Sequence, residues 1–518
     1  MKRILMLGAG FMQGVAIRCA QARGWEVVAV DGNSDAVCAK LANRFENIDL
    51  KDRDGLASFA LKLKETSGLD GVFTAATDFS ASVAWVAKKC GLPGHSFESA
   101  CNASDKVRMR GCFERAGVPS PSFLGITELN RSRVLELMQV KGLSFPLVVK
   151  PADNMGARGC RKVLSAVELS PAIIDAIGYS RTGTAIIEEF MDGPEFSLEA
   201  LVYDGEIHMT GCADRHIFFP PYFIEMGHTI PTSFSDEDTQ ALYEVFRKGI
   251  RALGLSWGVA KGDIKMTKKG PMIGEIAGRL SGGYMSGWTF PYSSGINLTD
   301  AALGLAVGER PANLENVNQM ISAERAWISI PGKIDSVSGY EKARSIPFIR
   351  DVFPRSKPND EVRFPVNNVE KCGNCIAVAP SRKESIDSAE EACRVIVLRL
   401  AVPHPETDAF LASGLDRTKV FPPDAFNVPG DWDAAGFSHP EGFLSDILVP
   451  SSLISSLDLV CDWQGRTLRA ALMQACEIEA GLLSILSSRD SAILQRYWEG
   501  LLRGGIQGII YLYDKNSK

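Results

Sequence analysis

A multidomain protein of mixed α/β and α+β class is predicted by three observations. The chain begins with a β-α-β unit over residues 3–31. A hairpin over residues 263–276 carries a carboxylate on each strand. At 518 residues the chain exceeds what one hydrophobic core organises, so roughly three or four domains are expected.

Composition narrows the class. The chain is 45% hydrophobic and 23% charged, ordinary values for a globular protein. Its net charge of −6 lacks the basic footprint of a nucleic-acid or membrane-surface binder. The first apolar run, from Ile4 to Leu7, stops at glycines and reads as a strand, not a signal peptide. No apolar run approaches the ~20 residues of a membrane span. The twelve cysteines show no paired framework and are expected reduced, in the cytoplasm. Cys372-Gly-Asn-Cys375 is the one CxxC, but a structural zinc would call for a second ligand pair, so two incidental cysteines are expected.

The opening strand runs into Gly8-Ala-Gly10-Phe-Met-Gln-Gly14, a glycine turn that starts a helix to about Arg23. A second strand, Val27–Val30, ends at Asp31, where a ribose-binding acid could sit. The spacing is GxGxxxG, one residue off the dinucleotide fingerprint. A Rossmann-like domain holding another substrate at its mouth is preferred over a dinucleotide site. Strands at 47–50 and 71–75 and a helix at 80–90 complete it, and the domain closes near residue 103.

Ser104-Asp105-Lys106 caps a helix that stops at Gly117, and Val118-Pro-Ser-Pro121 is an extended linker. A strand from Phe145 ends in Lys150-Pro151. The following turn, with Gly156, Arg158 and Gly159, offers free N–H groups and a guanidinium to phosphates, or is a plain hairpin loop. Strand 185–189 continues into Phe190, Met191 and Glu195. Such a linker can present backbone groups to an adenine edge, and an acid can accept ribose hydroxyls. Arg215, His216 and His228 fall in a segment rich in aromatics and prolines. After a helix at 243–253 comes the hairpin. It sets Asp263 near Glu275, and two close carboxylates resist ionising unless a cation joins them. Hard oxygens suit Mg²⁺. Arg279 can stabilise charge on a transferring phosphoryl group, and Gly282-Gly283 leaves room for a substrate against the backbone. A surface hairpin with a basic turn is the alternative.

In this order, Ser104-Asp105-Lys106, FPLVVKP at 145–151, the glycine loop at 154–159, IIEEFMDGPEFSLE at 186–199, and Asp263 with Glu275 and Arg279 resemble the ATP-grasp superfamily. The resemblance covers residues 1–310, the first part looking like the domain that precedes carboxylate–amine ligase modules. Residues 340–400 look like the closing part of biotin-carboxylase-like members.

That resemblance implies ATP and Mg²⁺, with Mn²⁺ as a substitute. Lys106 and Lys150 would contact phosphates, and Gly156, Arg158 and Gly159 would cover them. Glu188 and the backbone of Glu189, Phe190 and Met191 would meet the adenine, and Glu195 the ribose. Asp263 and Glu275 would hold the metal. Arg279 and Lys150 would be catalytic, with Arg215, His228, Gly282 and Gly283 at the substrate. Members usually carry Asn where this chain has Ala277, which removes one metal ligand. Leu280-Ser-Gly-Gly-Tyr284 replaces the biotin-handling run and argues against biotin.

The expected activity is ATP-dependent ligation of a small carboxylate, an amino acid by preference, to an amine. Bicarbonate or formate as the acid, or a nucleotide-binding protein with a degenerate site, are alternatives; an NAD-dependent oxidoreductase ranks last. The expected domains are 1–103 (Rossmann-like), 104–310 (ATP-grasp, with a small lid at 118–190), 311–400 (closing part) and 401–518 (accessory). The last contains a helical stretch at Thr467–Ser488 and a terminal strand at Tyr511–Tyr513, and could serve a homodimer.

Overall fold

A computed structural model describes residues 1–312, 314–413, 421–428, 436–440 and 447–517. The chain divides into two compact units. The first comprises residues 1–217, 227–323 and 378–382, the second 218–226, 324–377 and 383–518.

The first unit opens with four parallel strands, β1 (Arg3–Leu7), β2 (Glu26–Asp31), β3 (Arg44–Asn47) and β4 (Gly71–Phe73), in the order β3-β2-β1-β4. Helices α1 (Gln13–Ala22), α2 (Arg53–Ser67) and α3 (Ser80–Cys90) lie between and after them. Continuous apolar runs in β1 and β2 fit strands covered on both faces. The third strand lies slightly earlier than the expected 47–50, because Arg44–Asn47 are the residues that pair with β2. Asp31 is occupied by its own chain: its carboxylate accepts the Ala9 N–H at 2.8 Å and the Asn33 N–H at 2.9 Å.

After α4 (Phe97–Ser104), α5 (Lys106–Ala116) begins at Asp105, whose carboxylate accepts the Arg108 N–H at 3.0 Å. It ends at Gly117 with φ 64°, a left-handed position that suits glycine. A small antiparallel sheet follows, made of β5 (Phe123–Thr127), β6 (Leu147–Pro151), β7 (Arg161–Val163) and β8 (Thr184–Glu189), in the order β5-β8-β6-β7. Helices α6 (Val134–Lys141) and α7 (Ala166–Tyr179) share its apolar core.

The larger sheet of this unit runs β13-β12-β9-β10-β11, from β9 (Glu195–Tyr203), β10 (Glu206–Phe218), β11 (Ile224–Ile230), β12 (Gly258–Thr267) and β13 (Gly270–Ala277). Helix α8 (Asp236–Leu253) buries Leu242, Val245, Phe246, Ile250 and Leu253 at helical spacing in the core it shares with these strands. Its first turn carries Asp236, Glu237 and Asp238, which favour the positive helix end. A Cβ at Gly262 would meet the Phe246 ring at 2.5 Å. Gly262 and Ile264 thus face α8, and the pleat turns Lys261, Asp263 and Lys265 to the opposite face. Short helices α9 (Phe290–Ser294) and α10 (Leu298–Ala306) close the unit.

His95 fastens the start of β12. Its Nδ1 accepts the Trp257 N–H at 3.2 Å, so Nε2 carries the proton and donates to the Val259 carbonyl at 3.0 Å. Protonating Nδ1 would set two donors face to face. Burial, against that one backbone bond, lowers the imidazole pKa to about 4 from 6.5. The unfolded chain binds the extra proton first, so stability is complete above pH 6.5 and falls as pH drops towards 4. A loss of up to about 3 kcal/mol is expected over that window. Denaturant titration across it checks this, and His95→Gln should flatten the slope.

The second unit contains a sheet region ordered β14-β18-β16 and a small sheet ordered β17-β15-β19. Its strands are β14 (Ile321–Trp327), β15 (Gly332–Ser338), β16 (Ile349–Pro354), β17 (Glu361–Val362), β18 (Gly373–Ala379) and β19 (Val397–Leu400). Helices α11 (Tyr340–Ser345), α12 (Arg382–Val395) and α13 (Pro405–Ala412) accompany them. The terminal part buries Leu468, Leu472, Leu482, Leu486 and Trp498 from α14 (Leu468–Ile478), α15 (Gly481–Leu486) and α16 (Ser491–Ser517).

Two expectations are corrected here. The stretch 467–488 is two helices, broken after Ile478. Tyr511–Tyr513 is helix, not strand: Ile506, Ile509, Ile510 and Tyr511 are buried at helical spacing, and three alternating residues are too few to define a period. The span from His404 to Pro450 begins with α13, and part of it lies outside the described residues. Cys372 and Cys375 are buried free thiols, and among the described residues no three metal-ligating side chains gather.

Candidate active site

Strand register builds a charged floor on one face of the larger sheet. Asp263 lies opposite Glu275 on β13 and opposite Ser197 on β9. One step along, Lys261 lies opposite Glu199 and Ala277; one step the other way, Lys265 lies opposite Glu195, itself opposite Arg215. A slip of one residue would exchange this set for the buried apolar one.

Opposite charges pair throughout. Arg215 reaches Asp263 at 2.9 Å and also pairs with Glu195. Lys261 Nζ is 2.5 Å from Asp263 Oδ2, and Lys265 Nζ is 3.6 Å from Glu195. Asp263 Oδ1 is buried and has no aligned hydrogen-bond donor. Glu275 is still about 31% exposed, and Lys106 Nζ stands 3.4 Å from it. Burial works against ionisation, yet Lys106, Lys150, Lys261 and Arg279 hold the Glu275 carboxyl down to about 2. A buried oxygen that Arg215 approaches without aligning a donor to it, facing a second carboxylate that stays ionised, gives a hard-oxygen pair fit for Mg²⁺.

Above this floor lies a second cluster. Glu188 at the end of β8 is buried and forms ion pairs with Lys150 at 2.7 Å and Arg110 at 2.9 Å. Burial would raise its pKa; Arg110, Lys150 and Lys106 lower it instead. Lys106 is itself buried, and Glu275, Asp78 and Glu188 outweigh that burial and keep its ammonium charged. Its Nζ also donates to the Asn154 carbonyl at 2.9 Å, which fastens the glycine loop.

In that loop Gly156 and Gly159 have φ of 71° and 63°, and Arg158 folds back onto the Asn154 side chain at 3.2 Å. The linker 190–194 docks against β12. A Cβ at Gly193, with φ 133°, would lie 2.0 Å from the Met266 carbonyl oxygen, so only glycine fits. Phe190 has the Lys162 ammonium 3.8 Å from its ring centroid, and Glu189 pairs with Lys269 at 2.9 Å on the surface. Met191 lies within reach of Gly274, where an added Cβ would stand 3.6 Å from its terminal carbon.

Arg279 is held by Asp78 at 3.2 Å and by the Leu280 carbonyl at 3.0 Å. Gly282 and Gly283 follow in a loop whose Ser281 N–H donates to Glu199 at 2.9 Å, joined there by the Ser286 hydroxyl. Glu199 is fully buried, which raises its pKa. His228 is buried and 2.6 Å from the Thr289 hydroxyl. The expected residues thus divide into the floor, the lysine–glutamate cluster over it, the glycine loop, and the Arg279 loop. His228, against Thr289, acts on Glu199 beside the Arg279 loop. Arg110, Lys261, Asp78 and Glu199 were not foreseen. Lys261 precedes Asp263 by two residues and Arg110 follows Lys106 by four, spacings that put each on its neighbour's face.

Comparison with known proteins agrees with this architecture. Residues 143–287 match the ATP-grasp domain family, and residues 326–401 match the family described as L-amino acid ligase C-terminal domain 2. The chain thus carries an ATP-grasp domain and, after it, an L-amino acid ligase C-terminal domain. It is 27% identical to the uncharacterized protein y4rH of Sinorhizobium fredii, over 66% of this chain and 71% of that protein. It is 29% identical to a D-alanine–D-alanine ligase of Marinobacter nauticus, over 33% of this chain and only 52% of that one. Among solved structures, the L-amino acid ligase of Bacillus licheniformis superposes with a TM-score of 0.68 at 19% identity, covering 77% of this chain and 99% of that one. Among the described residues no helix is long and apolar enough to cross a membrane.

Proposed function

We propose that this ATP-grasp chain activates a small carboxylate, an amino acid by preference, as an acyl phosphate and joins it to an amine. The carrying observation is the opposed pair Asp263 and Glu275, ringed by Lys106, Lys150, Lys261, Arg215 and Arg279. The first step moves an electron pair from the carboxylate oxygen to the γ-phosphorus, and the β–γ bridging oxygen leaves with ADP. Lys106 and Lys150 neutralise charge on the phosphates, and Arg279 orients the acid. In the second step the amine attacks the acyl carbon, phosphate leaves, and the amine loses a proton.

Asp263 and Glu275 would hold Mg²⁺, which supplies charge neutralisation at the phosphates; Mn²⁺ is expected to replace it. Gly156, Arg158 and Gly159 are assigned to the phosphates, Glu188 to Met191 to the adenine, and Glu195 to the ribose. Arg215, His228, Gly282 and Gly283 are assigned to the substrate side. The domain assignment is 1–103, 104–310 with a lid at 118–190, 311–400 and 401–518, in a cytoplasmic protein capable of forming a homodimer.

ADP and phosphate release from ATP and Mg²⁺ should require particular acid and amine partners when single and paired amino acids are supplied. Release with one acid and no amine would favour bicarbonate-type chemistry instead. ATP binding without turnover across the panel would overturn the ligase reading.

A further inference from the structure

We propose that this site takes a single divalent cation, and that the Lys261 ammonium supplies the second positive charge beside it. The proposal rests on the nucleotide site assigned above. A magnesium site is built from oxygen ligands in near-octahedral array. On the face that carries Asp263, the neighbours along its own strand are Lys261 and Lys265, and the neighbours across are Ser197 and Glu275. The next same-face position beyond Glu275 is Ala277, directly opposite Lys261. A methyl group offers no electron pair. Apart from Glu199, whose Oε1 is taken by Ser281 and Ser286, the oxygens therefore cluster around one point, where Asp263 meets Glu275. The adjoining point is filled by an ammonium group.

That ammonium is held in place by the fold. Lys261 Nζ is 2.5 Å from Asp263 Oδ2, and its side chain is 14% exposed. Across the sheet it faces Glu199, whose carboxylate accepts from Ser281 and Ser286. A lysine head is a compact point charge with three donors, suited to contact phosphate oxygens directly. A second divalent ion at this place would meet a fixed positive charge at contact range, where repulsion is poorly screened. Among the described residues no set of three acids, histidines or cysteines gathers to hold such an ion. One ion completed by phosphate oxygens and water suits a pair of carboxylates.

The test counts bound metal. Full-length protein saturated with the β,γ-imido analogue of ATP is titrated with Mn²⁺, and free Mn²⁺ is read by electron paramagnetic resonance. One bound Mn²⁺ per bound nucleotide is expected. Lys261→Ala combined with Ala277→Asn removes the ammonium and adds an oxygen, and should raise the count to two. Two ions on the wild-type chain, or no gain in the double variant that still binds nucleotide, would overturn the proposal. If the double variant does not fold, the wild-type count decides alone. Failure of the wild-type chain to bind the analogue would overturn the nucleotide site itself, whereas two ions with nucleotide bound would overturn only the single-ion inference.

Discussion

Replacing Glu275 with glutamine is expected to lower ADP release by at least about 100-fold, the scale set by losing one placed charge in a desolvated site. The substitution keeps shape and removes one negative charge. Lys106, Lys150, Lys261 and Arg279 all act on this carboxylate, so the change unbalances four cations at once. A metal held by two carboxylates would be left with one. The outcome separates two readings. If Glu275 holds the metal, raising Mg²⁺ should partly restore turnover of Glu275→Gln. If it only pairs with Lys106, added Mg²⁺ will restore nothing. The wild-type carboxyl stays ionised down to about pH 2, so loss of activity between pH 6 and 4 should not follow its titration.

Replacing Arg110 with alanine should destabilise the first unit by about 3 kcal/mol, the usual cost of removing one partner from a buried ion pair. Arg110 is fully buried, 2.9 Å from Glu188, and donates to the Gly274 carbonyl at 2.6 Å. It thus joins α5, β8 and β13. Lys150 still contacts Glu188 at 2.7 Å, which keeps that carboxylate partly paired. Arg110→Met should be milder, since it refills the space but leaves the Gly274 carbonyl without its donor. Denaturant midpoints for the two variants check this, and equal midpoints would show that charge and hydrogen bonding, not volume, are what Arg110 supplies.

The parts legible in the sequence were those set by local rules. Asp105 and Gly117 mark α5 because a short acceptor caps a helix and a glycine takes the left-handed turn. Asp263 and Glu275 could be paired because a short basic turn fixes a hairpin's register. What escaped depends on distant neighbours. Lys261 matters because β9 brings Glu199 beside it, a pairing between residues far apart in the chain. Arg110 escaped because arginine is seldom buried, and its burial reflects a glutamate supplied by another strand. The terminal tyrosines misled because their three-residue alternation also fits one turn of an apolar helix face.

The Lys106 ammonium has a consequence for the order of events. One nitrogen holds both the Asn154 carbonyl of the glycine loop and the Glu275 carboxylate. A phosphate that draws this nitrogen away from either partner must compete with it. Ligand capture and loop release are therefore linked through a single atom, and linkage is reciprocal: the factor by which the ligand loosens the loop is the factor by which a released loop favours the ligand. Substitutions in the loop that touch no phosphate themselves would then be read out first as changed nucleotide affinity.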